Sequence, residues 1–255
     1  MNASKFFLKA ANSLVTAIVA LFLILAAAYS GYALWDNAQV YGAVDDIQSQ
    51  LLKLKPDPEQ KDGGASFEEL RKINPDVCGW ITLDHTKIDY PILQGEDNLT
   101  YINTDVYGDF ALSGSIFLDS GCDRSFQGKY SLLYGHHMAE HKMFGDLDLY
   151  KKENFFNKNR TGTLYLPEEQ IHLEILACLS VSSSEENIFT PEKWETDTKG
   201  LLKFASDHAV LVQQDLLKEL MESGDYPRIL AMSTCSSEFT DARTVLLAEM
   251  KEEET

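Results

Sequence analysis

Eight short apolar or alternating runs divided by turn residues predict a mainly β domain, a closed barrel or sandwich, and one long uncharged segment ahead of them predicts a membrane helix. The runs fall at residues 78–83, 88–93, 113–118, 130–134, 162–166, 171–180, 228–234 and 243–250. Two helical insertions are expected between them, at 141–150 and about 196–214. In the second, Leu201, Leu202, Phe204, Ala205 and Val210 form an amphipathic face.

No residue between 10 and 35 is charged, and 14–35 is almost wholly apolar. As a helix that stretch spans about 33 Å, enough to cross a hydrocarbon core. Lys5 and Lys9 on its short N-terminal side place that end in the cytoplasm and the remainder outside, with Tyr29, Tyr32 and Trp35 suited to the outer interface. Ala26, Ala27 and Ala28 also form a possible signal-peptidase site, but the apolar stretch runs past them, which favours an uncleaved anchor.

Residues 36–61 read as a helical connector, with Val40, Val44, Ile47, Leu51 and Leu54 on one stripe and Pro56 and Pro58 ending it. Ser66-Phe67-Glu68-Glu69 has the form of a capping box that opens another helix, stopped at Asn74-Pro75. The expected organisation is therefore a cytoplasmic tail (1–13), a transmembrane anchor (14–35), a connector (36–65) and an extracytoplasmic domain (66–255).

The chain carries 22 basic and 40 acidic residues, and all of them except Lys5 and Lys9 lie after residue 35. So acidic a domain argues against nucleic acid as a partner, because phosphate neutralisation needs clustered Lys and Arg. Neither a phosphate loop nor a dinucleotide fingerprint is present. His137 and His141 are spaced i, i+4 around Glu140, but this is not H-E-x-x-H and no third ligand is recognisable, so no metal is expected.

The chemistry resides at strand ends. The run 229–232 closes in Ser233-Thr234-Cys235-Ser236, and Arg243 opens the next run. The run 130–134 ends in Gly135-His136-His137. A lone Cys at a strand end is more often a small core residue than a nucleophile. The conjunction is what matters, since thiol chemistry needs a thiolate, a proton donor for a leaving amine, and a donor for the developing oxyanion. At most one disulfide could join Cys78, Cys122 and Cys178, and none is expected.

Leu133-Tyr134-Gly135-His136, Ala231-Met232-Ser233-Thr234-Cys235 and Arg243, in that order, resemble the signatures of the sortases, membrane-anchored cysteine transpeptidases of Gram-positive bacteria. Ala231 and Met232 depart from the family's usual Thr and Leu without touching the chemistry. The resemblance covers roughly residues 66–250. Gln94-Gly95-Glu96-Asp97-Asn98-Leu99-Thr100-Tyr101-Ile102 is similar to an element of class B sortases. It implies an eight-stranded sortase barrel with N-terminal helices, no cofactor, and Cys235, His136 and Arg243 as catalytic residues. It further implies a substrate groove at Asn98, Ile102, Tyr134, Ser233 and, more weakly, Ile188, with Thr234 orienting the turn. The implied substrate is a surface protein's C-terminal sorting signal of N-P-x-T-N or S/N-P-x-T-G type. The implied acceptor is the amine of a lipid-linked peptidoglycan precursor or a pilin Lys. Another cell-wall cysteine peptidase and a non-enzymatic wall-binding domain are the competing readings.

Overall fold

The computed structural model describes residues 2–57, 64–223, 227–234 and 242–252. The chain divides into two compact units, residues 1–46 and 47–255. The first consists of most of helix α1 (Asn2–Leu51), one continuous helix long and apolar enough to cross a membrane or to serve as a signal sequence.

The second unit begins with the end of α1, a 3₁₀ turn (Leu52–Leu54) and α2 (Gly64–Ile73). The chain is already helical at Gly64, so Ser66 lies inside α2 instead of capping it. The strands follow: β1 (Val77–Leu83), β2 (Asp89–Leu93), β3 (Ile116–Leu118), β4 (Tyr130–Gly135), β5 (His137–Met138) and β6 (Lys142–Met143). After α3 (Glu153–Lys158) come β7 (Thr161–Tyr165), β8 (Gln170–Ser182), α4 (Glu186–Phe189), α5 (Thr198–His208) and β9 (Ala209–Val212). The chain continues through α6 (Gln214–Glu222), β10 (Arg228–Thr234) and β11 (Ala242–Glu252).

The strand order is β11-β10-β4-β3-β2-β1-β7-β8-β9, and β11 also pairs with β8. That pairing closes eight strands into a mixed barrel and leaves β9 as an appendage on β8, so of the two expected forms the barrel is the one adopted. Two neighbouring pairs are parallel, β2 with β3 and β4 with β10, and the other barrel pairs are antiparallel. At one end Leu51, Phe67, Leu70, Val77, Trp80 and Tyr101 form an apolar cluster with Ile47 and Leu54 against it. The connector's stripe is thus consumed by its own domain over residues 47–54.

Two expected helices differ. Residues 141–150 form no α-helix. Glu140, His141 and Met143 have φ of 59°, 65° and 50°, a left-handed run that no α-helix admits. The segment is a β5–β6 hairpin followed by a 3₁₀ helix (Gly145–Lys151). Helix α5 starts at an Asp197 cap on the Gly200 amide and buries Leu201, Leu202 and Ala205. It stops at His208, because Ala209-Val210-Leu211-Val212 adds to β8 as a strand, leaving Val210 exposed. The third β run is shorter than expected, since Gly114 at φ 55° is a turn residue.

Candidate active site

β4 and β10 run in parallel with Ser233 opposite Tyr134 and Thr234 opposite Gly135. Both strands therefore end at the same level on the barrel rim. Gly135 is required there, since a Cβ would lie 2.4 Å from Ile116 Cδ1 and 2.8 Å from the Phe144 ring. The next residue, His136, turns out of the sheet, and its carbonyl accepts from the Phe144 amide. Its Nε2 is 2.7 Å from the carbonyl oxygen of Ile102, so that nitrogen carries a hydrogen.

Ile102 ends a 3₁₀ turn (Thr100–Ile102) in the long loop after β2. The loop is closed by Gly114, where a Cβ would sit 2.3 Å from the Ile102 oxygen and 2.6 Å from that of Tyr101. The Ile102 carbonyl is thereby held toward His136.

Across the site, Arg243 stands at the start of β11, opposite Val181 on β8. Its Nη1 donates to the Thr234 carbonyl at 2.8 Å. Thr234 is itself buried, and its Oγ1 accepts from the Thr244 amide at 3.2 Å. The last residue of β10 is therefore gripped twice from β11. Cys235 follows it in the chain and lies outside the described residues.

A groove of about 230 Å³ is lined by Asn98, Ile102, Phe117, Tyr134, Ser183, Phe189 and Arg243. Four sequence-predicted residues thus share one groove: Asn98, Ile102, Tyr134 and Arg243. Ser233 is wholly buried and is not among the residues that line it. Ile188 is wholly buried too, and its carbonyl accepts from Tyr130 Oη, which fixes α4 so that the next residue, Phe189, stacks on Tyr134. Sequence reasoning passed over Phe117, Ser183, Phe189 and Asp119. Phe117 sits on an expected strand and Asp119 directly after it, but neither carried a chemical signal of its own.

The second histidine belongs to a different cluster. His137 Nε2 is 3.1 Å from Asp148 Oδ2, while Lys151 and the Thr244 hydroxyl meet Asp148 Oδ1. The hydrogen bond from His137, helped by Lys151 and Thr244 against partial burial, holds the Asp148 carboxyl well below the usual carboxylate range. His141 pairs with Asp146, so the two histidines face separate acids. Among the described residues no group of three or more His, Cys, Asp or Glu side chains is arranged to hold a metal ion. Cys78, Cys122 and Cys178 are free and buried, and burial pushes each thiol up to about 12.

No family model matches the chain. Two curated relatives, both sortase B, are similar over most of their length. The Staphylococcus aureus protein is 27% identical over 79% of this chain and 81% of its own, and the Listeria monocytogenes protein 29% over 82% of each. A solved Streptococcus pyogenes class B sortase involved in pilus biogenesis is 35% identical, with a TM-score of 0.65 over 74% of this chain and 99% of that one. The chain belongs to the class B sortases. It is accordingly a cysteine transpeptidase. Two further sortase B structures, each 25% identical over 86% of this chain, extend the likeness. The Staphylococcus aureus sortase B-substrate complex gives a TM-score of 0.71 over 99% of that chain, and a sortase B complexed with triglycine gives 0.69 over 100%.

Proposed function

We propose that this sortase cleaves the C-terminal sorting signal of a surface protein, of N-P-x-T-N or S/N-P-x-T-G type, and transfers the new acyl end to a cell-wall precursor amine. Cys235 is the nucleophile, His136 the proton carrier and Arg243 the oxyanion donor. The observation that carries this reading is the parallel register of β4 and β10, which ends at Gly135 and Thr234 side by side, with His136 and Cys235 the next residues of each strand.

The Cys235 thiolate attacks the Thr carbonyl carbon of the signal. As the C–S bond forms, charge develops on the oxygen, and an N–H of Arg243 beyond the one given to Thr234 stabilises it. Collapse breaks the C–N bond, the departing amine takes a proton from His136, and a thioester remains. With Nε2–H donated to the Ile102 carbonyl, Nδ1 is the atom that moves the proton. The acceptor amine then attacks the thioester, returns a proton to His136 and releases the Cys235 thiolate. Asn98, Ile102 and Tyr134, with Phe117 and Phe189, hold the peptide. Buried Ser233 and Ile188 support the groove, and Thr234 orients the turn that follows it.

The substrate complex of the staphylococcal relative and the triglycine complex of a sortase B support a peptide donor and an amine acceptor. The streptococcal relative's part in pilus biogenesis supports a second reading, in which a pilin Lys is the amine. We place the first 13 residues in the cytoplasm, 14–35 across the membrane as an uncleaved anchor, 36–65 as connector and 66–255 outside. Incubation with candidate sorting peptides and mass measurement of the protein tests the chemistry. A thioester adduct is expected on wild type and on no Cys235→Ala protein, and its absence from wild type with every peptide overturns the proposal.

A further inference from the structure

Two polar groups of the groove, the Asn98 amide and the Tyr134 hydroxyl, are set by a residue that does not line it. The Asp119 carboxylate is only 5% exposed. Its Oδ2 accepts from Asn98 Nδ2 at 2.8 Å and Tyr134 Oη at 2.9 Å, and its Oδ1 from the Gly121 amide at 2.8 Å. The backbone of Asp119 is equally constrained. Its amide donates to the Leu132 carbonyl at 2.8 Å, and its carbonyl accepts from Gln94 Nε2 at 2.9 Å and the Cys122 amide at 3.0 Å.

An ionised carboxylate accepts and never donates, so both Asn98 and Tyr134 must point a hydrogen at it. The other end of the Asn98 amide is also taken, because Oδ1 accepts from the Ser120 amide at 2.7 Å. The amide cannot flip without losing both bonds. What the amide has left is the second N–H of Nδ2, a donor next to the Asp119 charge, and one further lone pair on Oδ1 beside the Ser120 amide.

We propose that Asp119 is a positioning and specificity-determining residue of the sortase. It locks Asn98 as a donor, so that this part of the groove takes a neutral carbonyl oxygen of the peptide, from the backbone or an Asn or Gln side chain. An acidic side chain is rejected by the Asp119 charge. The inference rests on the groove being the sorting-peptide site.

The test is the dissociation constant of one neutral sorting peptide, and of the same peptide carrying an acidic replacement at each position in turn, on Cys235→Ala protein. Asp119→Asn and Asn98→Asp are expected to weaken the neutral peptide about tenfold each, the value of roughly one hydrogen bond. Asp119→Asn should also narrow the gap between neutral and acidic peptides. The reciprocal double variant, Asn98→Asp with Asp119→Asn, keeps the pair bonded with donor and acceptor exchanged, the Tyr134 hydroxyl then accepting from the amide where it donated to the carboxylate. It should melt like wild type yet bind the neutral peptide at least about tenfold more weakly, since the wall's donor is gone. Wild-type affinity in the double variant would make the pair merely structural and overturn the proposal, as would unchanged affinity in Asp119→Asn. If Asp119→Asn does not fold, the double variant decides alone. Sorting peptides that bind wild type while none of them forms a thioester would sink the catalytic reading and leave the result for Asp119 standing.

Discussion

The guanidinium of Arg243 is hydrogen-bonded to the carbonyl of Thr234, from the second residue of β11 back to the last residue of β10. One N–H of a planar fork is thus spent on the strand end while the rest of the group lines the groove.

A Lys at this position keeps the charge but loses the fork. Arg243→Lys is expected to lower kcat by about 10²–10³, the usual cost of one oxyanion donor, and Arg243→Ala by more. Near wild-type kcat/KM for Arg243→Ala on a sorting peptide would remove the residue from the chemistry.

Gly114→Ala should disturb His136 without touching it. At φ 55° with a Cβ only 2.3 Å from the Ile102 oxygen, the new methyl pushes away the carbonyl that holds Nε2. We expect kcat/KM to fall at least about tenfold, part of the usual range for disturbed acid–base catalysis. Gly108→Ala is the control: φ is 86° but no atom lies within 4 Å of the added Cβ. It should carry only about 1–2 kcal/mol of backbone strain and leave kcat unchanged. Equal activity losses in the two variants would refute the contact argument.

Thiol labelling at neutral pH should report a single site. Cys78, Cys122 and Cys178 are buried, with thiols pushed up to about 12, so none supplies thiolate in the native protein. Iodoacetamide is expected to modify native wild type once and native Cys235→Ala not at all, while denaturation exposes the other three. Labelling of Cys178 in folded Cys235→Ala protein would contradict the assignment.

Asp148 gives the stability of the rim a sign in pH. Its carboxyl titrates below the usual range because His137, Lys151 and Thr244 stabilise the ionised form. A group whose folded pKa is depressed contributes stability that is present above its unfolded pKa of about 3.9 and is lost as pH falls through the folded value. The difference in melting temperature between wild type and Asp148→Asn should therefore be full near pH 6 and shrink steadily below about pH 4. A difference that grows on acidification would show the sign to be wrong.

Much of the barrel was legible because it is written locally. Each of the eight barrel strands is an apolar or alternating run between turn residues, and Gly135-His136 reads directly as a strand end. The hairpin at 137–143 was not legible, since Glu140, His141 and Met143 adopt left-handed backbone with no glycine to announce it. Nor was β9, because a Val-Leu-Val run after an amphipathic stretch continues a helical pattern equally well until β8 is there to pair with it. At the site, Asn98, Ile102, Tyr134 and Arg243 could be read from motifs. Asp119 could not, because its importance is a set of contacts with residues 15 and more positions distant. The same holds for the Ile102 carbonyl, which is backbone and leaves no mark in sequence.

The parallel pairing of β4 with β10 also bears on how this domain folds. Tyr130 lies beside Ile229, so the ladder that levels the two strand ends closes a loop of about a hundred residues. Contacts of such sequence separation carry the entropy cost of closing the intervening loop, and domains rich in them fold slowly. The pairing that levels Gly135 with Thr234 is therefore one of the entropically costlier contacts of this domain, set by topology and not by the chemistry of the rim.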